Sequence, residues 1–559
     1  MHAARRERWI VSLVVLLAAG VPAQERDAGG DNAAVAARKP VATQPAEPNA
    51  LTRDYFSANG LLNRGLYELA AAEYRKFLAA APQHPKAAVA RYGLAVALYR
   101  EGKLAEALTE LKQLAEAPAG AAFPFAPEVA ALRAQCELAA GDYAAAGATC
   151  GRFLAQHADH ALAPDVAALE VEALYHGSQH GVAARQTRVF LNRWPDAPQR
   201  ERVLLLGGAA LATQKEWAAA GELLAQLLEA FPQTTARDQA AWLLAQSCVA
   251  RALDDEAERW FRAVLEVKDS PHVPDALLGL AATLHRQGKR EAAGALLDRL
   301  LADFASSALG PQALLLRGRL LFEEQDYAAA AATFEKLAAA GAEPGDAGAY
   351  WRAKCALRLE RYDDAATQLG RAIEAYPKSA LRPEMLYDRA VALVQQGNDD
   401  AAAVAALAQF LREQPQHALA ADALHTLAVV EHRAKEYDKS AAHCKAFTEK
   451  HSAHAARPAV AFLAAENEFL AGRYAAAADR YRAFLEAYKD DPQARRAQFR
   501  LGMAYYRLER LEDAREPLAE AARHAGEDAL LRASLLALGE IAFARSEWKG
   551  AEEWLARYL

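Results

Sequence analysis

Small and large apolar residues recur along most of this chain in one fixed order. From residue 60 onward, a Gly is followed two residues later by an aromatic residue or Leu, then by Ala after three, an aromatic residue or Leu after four, and Phe or Leu after three more. The clearest copies start at Gly65, Gly141 and Gly472. Residues four apart, such as Ala70 and Tyr74, share one face of an α-helix. The pattern therefore predicts a helix that presents one small and two large apolar residues to a neighbour.

The aligned Ala recurs fourteen times at a mean spacing of about 37 residues, and we number each repeat from this residue as position 0. The fourteen residues at position 0 are Ala70, Ala107, Ala146, Ala183, Ala220, Ala257, Ala293, Ala330, Ala365, Ala403, Ser440, Ala477, Ala514 and Ala551. Gly at position −5 stands where a preceding helix must stop, and another amphipathic stretch comes before it. Each repeat is therefore a predicted helical hairpin. Hairpins that cannot bury their apolar faces alone stack on their neighbours.

The composition agrees with closely packed helices. Roughly a quarter of the residues are alanine, and only 8% are aromatic. Alanine is the best helix former and takes little room, so the chain is predicted to be all-α, an α-solenoid over residues 52–559. The formal net charge is −7, from 65 basic and 72 acidic residues. This near balance is not the pattern of a nucleic-acid-binding protein, and we expect no nucleic-acid partner.

Residues 1–23 have the three parts of a secretory signal peptide. Three arginines precede an apolar run from Trp9 to Ala19, and small residues before Gln24 fit a cleavage site. The run is short for a membrane span, although an uncleaved anchor is the alternative. Residues 24–51 are rich in Ala, Pro and polar residues without a period, which predicts a disordered linker. We therefore expect an exported protein with no membrane span after cleavage.

The arrangement of Gly502, Tyr505, Tyr506 and Ala514 resembles the tetratricopeptide repeat (TPR) signature. The resemblance covers about residues 52–559, with a period about three residues longer than the family's usual 34. The extra residues lie after the second helix, as in TPR proteins of the bacterial envelope such as the Tol–Pal-associated TPR protein and the outer-membrane assembly lipoprotein. The resemblance implies a right-handed superhelix that acts as a scaffold or adaptor in the periplasm or cell envelope.

The resemblance also implies where a partner binds. In the family, the first helix of each repeat lines the groove at positions −15, −11, −8 and −7. The candidate aromatic and arginine residues at or next to these positions are Tyr92, Tyr99, Arg100, Tyr175, Trp242, Phe322, Tyr350, Arg358, Tyr387, Arg433, Phe462, Phe469, Phe499, Tyr506 and Arg507. Aromatic rings edged by arginines suit the anchoring of a peptide or an acidic segment. The alternative is that these rings pack between the helices of a tight superhelix.

The chain offers no sequence motif for catalysis or cofactor binding, and we expect no enzyme and no cofactor. The G-x-S-x-G, P-loop, G-x-G-x-x-G and HExxH motifs are all missing from the sequence. The five cysteines fall on the apolar side of the hairpins, where a small apolar residue is wanted. A disulfide between Cys136 and Cys150 is the alternative in an oxidising compartment.

Two further residue patterns are assigned to structure rather than chemistry. Histidine pairs in the links, such as His157 with His160 and His451 with His454, lack the ligand set of a zinc site, so we expect solvated side chains and no metal. Acidic pairs at the start of second helices, such as the Asp pair before residue 256, favour the helix dipole.

The last copy of the repeat, at Ala551, ends with the chain, and no polar capping helix follows it. Two interpretations remain: this end docks on another molecule or on a second copy, or the sequence is a fragment. The main functional hypothesis is an exported scaffold for protein or peptide partners. The alternative is a structural module that handles peptidoglycan or exopolysaccharide in an envelope assembly or secretion machine.

Overall fold

The computed structural model describes residues 50–115, 123–339, 344–523 and 529–559. Within these ranges the chain forms 28 α-helices and no β-strand, which confirms the predicted all-α repeat fold. None of the described helices is both long and apolar enough to cross a bilayer. The predicted signal peptide (1–23) and nearly all of the predicted linker (24–51) lie outside the described residues and stay predictions.

The chain forms two compact units, the first ending at Lys289 and the second beginning at Arg290. The helices of the first unit are α1 (Ala50–Asn63), α2 (Tyr67–Ala80), α3 (Ala87–Arg100), α4 (Leu104–Ala115), α5 (Ala126–Ala139), α6 (Tyr143–Gln156), α7 (Ala163–His176), α8 (His180–Arg193), α9 (Arg200–Thr213), α10 (Trp217–Ala230), α11 (Arg237–Ala250), α12 (Asp254–Leu265) and α13 (Val273–Arg286). Odd-numbered helices are the first helices of the predicted hairpins, and even-numbered helices are the second.

The second unit repeats the same alternation. Its helices are α14 (Arg290–Asp303), α15 (Gly310–Glu323), α16 (Tyr327–Ala339), α17 (Gly345–Arg358), α18 (Tyr362–Ala375), α19 (Arg382–Gln396), α20 (Asp400–Glu413), α21 (Ala420–Arg433), α22 (Tyr437–Lys450), α23 (Arg457–Leu470), α24 (Tyr474–Ala487), α25 (Ala494–Arg507), α26 (Leu511–Ala521), α27 (Ala529–Ala544) and α28 (Trp548–Tyr558). In both units, helices that follow one another in sequence pack against each other.

Close helix contacts explain the small residue at position 0. All fourteen residues at this position are buried, and Ala551 is the most exposed of them at 4%. In several repeats the residue at +4 packs against a glycine in the first helix of its own hairpin. A Cβ atom at Gly502 would lie 2.5 Å from Cγ of Leu518, and one at Gly208 would lie 2.7 Å from Cγ of Leu224. Interiors are too densely packed to absorb such an overlap without rearrangement.

A left-handed residue ends the first helix of every hairpin. Thirteen of the fourteen lie at position −5, and the hairpin of Ala403 uses Gly397 at −6. Six of these residues are glycine, which adopts positive φ without a Cβ clash. The eight others are Ser178, Lys215, Ala252, Gln325, Glu360, Lys435, Glu509 and Ser546. The Gly in the sequence pattern therefore marks a geometry that all fourteen hairpins share.

The links between hairpins are held by a recurring side-chain acceptor at position +14, or +13 in one repeat. Its side chain accepts a hydrogen bond from the backbone N–H two residues further on. The residues that do so are His84, His160, Thr234, Ser270, Ser307, Ser379, His417, His454 and Asp491. Ser270 Oγ also donates to Asp238 Oδ2 at 2.8 Å, and Thr234 Oγ1 donates to Glu201 Oε1 at 2.7 Å. These two links are thereby tied to the first turn of the preceding first helix.

Histidine replaces serine or threonine in this bond with its two ring nitrogens. His454 Nδ1 accepts from the backbone N–H of Ala456 at 3.2 Å, while Nε2 lies 3.6 Å from Oδ1 of Asp422. His160 is placed in the same way, with Nε2 at 3.9 Å from Oε1 of Glu128. The expectation that these two histidines are solvated is therefore wrong, because their rings are partly buried and hold the links.

Candidate partner-binding face

One side of each first helix carries the residues assigned to partner binding. Each of positions −18, −15, −14, −11, −8 and −7 lies three or four residues from another position of the set, so all six lie along one side of a helix. We call this side the first-helix face. First helices of successive repeats touch, as α7 touches α9 and as α25 touches both α23 and α27. The faces of neighbouring repeats therefore adjoin within a unit.

The aromatic residues at position −15 differ in exposure. Tyr92, Tyr350 and Phe462 are buried and serve the packing between helices. Tyr92 stacks on Phe125 with ring centroids 6.0 Å apart, and Phe462 lies edge-on to Tyr481 at 5.9 Å. For these three positions the structure agrees with the alternative in which the rings pack between helices.

The remaining candidate residues reach solvent to different degrees, and their partner-binding role stays a prediction. Half-buried candidates are Tyr99, Arg100, Tyr175, Trp242, Phe322, Tyr387, Phe469, Phe499 and Tyr506. Exposed candidates are Arg358, Arg433 and Arg507. Trp242 is the ring most covered by a neighbour, since it stacks on His272 at 4.6 Å between centroids.

Several aromatic residues at position −8 form an edge-on pair with the residue at −3 of the same hairpin. The ring centroids of Phe322 and Tyr327 are 5.1 Å apart, and those of Phe469 and Tyr474 are 5.4 Å apart. Such pairs contribute about 0.5–1.5 kcal/mol beyond the apolar area that they bury. These rings therefore stabilise the hairpin end while one side of each stays partly exposed.

Two arginines at position −7 connect neighbouring repeats. Arg286 donates to Oδ1 of Asp254 at 2.6 Å, and Arg433 pairs in the same way with Asp400. Asp254 and Asp400 both lie at position −3 of the preceding repeat. The acidic residues at helix starts therefore hold arginines in addition to favouring the helix dipole. Among the described residues, no carboxylate pairs with Arg507.

The first-helix face of α25 is the richest in arginine and large apolar side chains. Its six residues are Arg496, Phe499, Arg500, Met503, Tyr506 and Arg507, all of them half-exposed or exposed. We call these six residues the arginine stripe. The helix as a whole has four arginines and no acidic residue. Sequence reasoning missed the members at positions −18, −14 and −11, although their spacing places them on the same helical side.

A buried carboxylate holds two of these arginines. Glu466 on α23 is only 3% exposed. Its carboxylate accepts hydrogen bonds from the Tyr481 hydroxyl at 2.5 Å and from Arg496 Nη2 at 2.9 Å, and it lies 2.9 Å from Arg500 Nε. Burial and the neighbouring carboxylate raise the pKa of the Tyr481 hydroxyl, so it stays a proton donor. The two guanidinium groups are thereby fixed at the surface.

Aromatic rings complete the support of the same arginines. Arg496 lies over the ring of Phe462 at 5.2 Å, and Arg500 lies over Phe469 at 4.7 Å. A guanidinium above an aromatic face gains about 0.5–2 kcal/mol, depending on how far it is desolvated. Arg496 keeps 55% of its side chain exposed, so its outer N–H groups remain open to solvent.

A second cationic and aromatic cluster lies on α15 and α17. Arg319 and Lys354 each lie 5.8 Å from the ring centroid of Trp351, and Arg358 lies 6.0 Å from that of Phe322. Lys354 is also 3.4 Å from the carboxylate of Asp388. The rings of this cluster are therefore already covered by this chain's own cations.

The cysteines serve packing rather than chemistry. All five are buried free thiols, so Cys136 and Cys150 are not bonded to each other. Burial raises the pKa of Cys136 to about 12 and, together with Glu256, raises that of Cys248 to about 11. A thiol of that pKa carries almost no thiolate at neutral pH, which makes it a poor nucleophile. In the described part of the chain no three His, Cys, Asp or Glu side chains are grouped to hold a metal ion.

A family model for the tetratricopeptide repeat matches residues 57–122, 278–347, 315–380, 350–418 and 462–529. The chain is a tetratricopeptide repeat protein. TPR repeats are typically non-catalytic scaffolds that bind protein partners. No curated protein sequence matches this TPR chain.

Solved TPR structures are similar to parts of the chain at low identity. A tetratricopeptide repeat protein from Parabacteroides merdae is 17% identical, with a TM-score of 0.33, over 47% of this chain and 98% of that one. The C-terminal part of a TPR repeat-containing protein from Cytophaga hutchinsonii is 14% identical, with a TM-score of 0.39, over 45% and 97%. PilF from Pseudomonas aeruginosa is 16% identical, with a TM-score of 0.32, over 40% and 97%. The family assignment rests on the repeat model and on the hairpins themselves.

Proposed function

We propose that this TPR protein is an exported scaffold or adaptor that binds protein or peptide partners in the bacterial cell envelope through its first-helix faces. The observation that carries the binding part is the arginine stripe of α25, where three arginines and three large apolar residues share one accessible helix side. Interfaces gain most of their binding energy from such aromatic and arginine anchors. The signal-peptide pattern of residues 1–23 supports the export part.

Cell fractionation tests export. The full chain with a C-terminal tag is expected in the periplasmic or envelope fraction, shortened at its N-terminus. A variant with Leu16→Arg breaks the apolar run and is expected to stay in the cytoplasm at full length. Cytoplasmic location of the unaltered chain would contradict the proposal.

Crosslinked purification from envelope extracts tests binding. Proteins that copurify with the unaltered chain are expected to be lost from a variant with Phe499→Ser and Tyr506→Ser, while its helix content stays the same by circular dichroism. A matched control places Leu205→Ser and Ala212→Ser on α9, at the same positions −15 and −8. Cosedimentation with purified peptidoglycan, insensitive to the α25 changes, would instead favour a glycan-handling module.

A further inference from the structure

The arginine stripe lies in a surface that other apolar residues extend. Leu470 on α23 is 42% exposed and Phe543 on α27 is 61% exposed. Both helices touch α25, and both residues belong to first-helix faces, at positions −7 and −8. Large apolar side chains left open on three adjoining helices indicate a surface that another molecule covers.

Positive charge is in excess on this surface. Arg496 and Arg500 share the single carboxylate of Glu466, so one of their two positive charges is not compensated. Arg507 has no carboxylate partner among the described residues. Within the described part of the chain, a second acid contacts the stripe: Glu540 accepts from the Tyr506 hydroxyl at 3.2 Å. A partner that covers the stripe must therefore bring negative charge.

We propose that the arginine stripe, with Leu470 and Phe543 beside it, docks an acidic amphipathic segment of a partner protein. Carboxylates of the segment pair with the outer N–H groups of the arginines, because guanidinium and carboxylate form two parallel charge-assisted bonds. Apolar side chains of the segment rest on Phe499 and Met503, which lie between the arginines. This inference rests on the proposed function and names the chemistry of its partner.

The apolar residues favour a peptide over an anionic polysaccharide. Sugar rings stack on flat aromatic faces, whereas Met503 and Leu470 offer flexible aliphatic surface that accepts leucine-like side chains. Met503 lies three residues from Arg500 and four from Arg507 on the same helix, which suits a segment in which carboxylates and apolar side chains alternate. A polyuronate therefore supplies the charge without the apolar contacts.

Glu466 acts as a positioning residue in this surface. It fixes both guanidinium groups against Phe462 and Phe469 before a partner arrives. Fixing a long side chain in advance removes an entropic cost that binding otherwise bears. Removal of this acid makes the surface more positive but leaves the arginines free to move.

Fluorescence anisotropy with the purified full chain tests the docking. The probe is a labelled sixteen-residue peptide of Glu and Leu arranged with both residue types at three- and four-residue spacings. It is expected to bind the unaltered chain, more weakly as salt is raised. Peptides with Lys in place of Glu, polyglutamate and a polyuronate oligosaccharide are expected to bind at least about tenfold more weakly. Equal binding of polyuronate would overturn the peptide assignment.

Two variants locate the site on the stripe. Arg507→Glu combined with Met503→Ser is expected to raise the Kd of the Glu/Leu peptide at least about tenfold. Thr213→Glu, at the same position as Arg507 but on α9, is the control and is expected to leave the Kd unchanged. An unchanged Kd of the Glu/Leu peptide in the α25 variant would overturn the inference that the arginine stripe docks an acidic segment. If the Kd is unchanged but envelope proteins are still lost from the variant with Phe499→Ser and Tyr506→Ser, the docking inference fails and the proposed function stands.

A third variant separates positioning from simple charge. Glu466→Gln adds net positive charge, so charge alone predicts tighter binding of the acidic peptide. Positioning predicts a Kd about three- to tenfold higher, because the two arginines are no longer held. Tighter binding in Glu466→Gln would show that this acid competes for the arginines and would overturn the positioning role.

Discussion

Two first helices at the same register, α9 and α25, show what the repeat dictates and what it leaves open. On α9 the first-helix face consists of Arg202, Leu205, Leu206, Ala209, Ala212 and Thr213. On α25 the same six positions carry the arginine stripe. Both helices have glycine at position −12 against a leucine at +4, and both precede a buried Ala at position 0. The inward side is thus the same in both helices, while the outward side differs in size and charge.

Two buried acids on first helices, Glu170 and Glu466, show a similar contrast. Glu170 on α7 is 9% exposed, and burial raises its pKa to about 7. Glu466 on α23 is 3% exposed but is surrounded by two arginines and a tyrosine hydroxyl. A buried carboxylate costs stability when nothing compensates its charge. The repeat therefore accommodates a buried acid with arginines beside it, as at Glu466, and without them, as at Glu170.

The largest expected effect tests the part that α9 and α25 share. Gly208→Ala and Gly502→Ala each place a Cβ within 2.7 Å of a leucine Cγ. Both changes are expected to lower the free energy of unfolding by roughly 2–3 kcal/mol, although alanine is the better helix former by about 1 kcal/mol. Urea denaturation of the two variants measures this. A loss of unfolding free energy in only one of the two variants would contradict the claim that the two packing surfaces are equivalent.

The second prediction uses Glu170, which has no ion-pair partner among the described residues. The pKa of Glu170 in the folded chain is about 7, above its ordinary value near 4.5. The folded state then binds more protons than the unfolded state between these values, so stability falls as pH rises from about 4.5 to 7. Glu170→Gln is expected to remove this decline and to stabilise the chain at pH 8 by roughly 2 kcal/mol. Unfolding curves at pH 5 and pH 8 check both parts, with Glu172→Gln on the same helix as the control.

The third prediction exchanges the outward sides. Phe499→Leu, Met503→Ala and Tyr506→Ala give α25 the residues that α9 has at positions −15, −11 and −8. The triple variant is expected to lose at least about tenfold in affinity for the acidic Glu/Leu peptide, or about 1.4 kcal/mol. Its free energy of unfolding is expected to change less than in Gly502→Ala, because the three side chains are half-exposed. Unaltered peptide affinity would mean that the apolar half of the stripe carries no binding energy.

Sequence periodicity was sufficient to predict the hairpins, because burial at position 0 requires a small residue in every repeat. It also placed the candidate residues on first helices. Periodicity could not tell that Tyr92 and Phe462 are buried while Phe499 reaches solvent, since all three occupy position −15. That difference depends on which side chains the adjoining helices bring, such as Phe125 beside Tyr92. Residues distant in sequence therefore decide whether a ring at position −15 is buried.

Interactions across repeats were also invisible in the pattern. Glu466 itself lies at position −11, but its contacts with Arg496 and Arg500, which lie one repeat later, were not visible in the sequence pattern. The link histidines were misassigned for a similar reason. Their ring nitrogens bond a backbone N–H and face a carboxylate some 32 residues earlier, as His454 faces Asp422. A histidine in a polar loop is expected to be solvated when only the sequence is known, because the sequence does not show which carboxylate it faces.

The smallest expected effect tests whether the hairpin turn is the same in both units. Ala252 in the first unit and Glu509 in the second have φ of 57° and 58° at position −5. A residue with a Cβ is destabilised by about 1–2 kcal/mol in this left-handed conformation. Glycine avoids that strain but loses more backbone entropy on folding, so the net gain from glycine is smaller. Ala252→Gly and Glu509→Gly are each expected to stabilise the chain by about 0.5–1 kcal/mol. The reverse changes, Gly141→Ala and Gly472→Ala, are expected to destabilise it by a similar amount, and because no atom lies within 4 Å of either added Cβ, that loss reports backbone strain alone. If only one of Ala252→Gly and Glu509→Gly stabilises the chain, the two turns differ in backbone strain although their φ angles are the same.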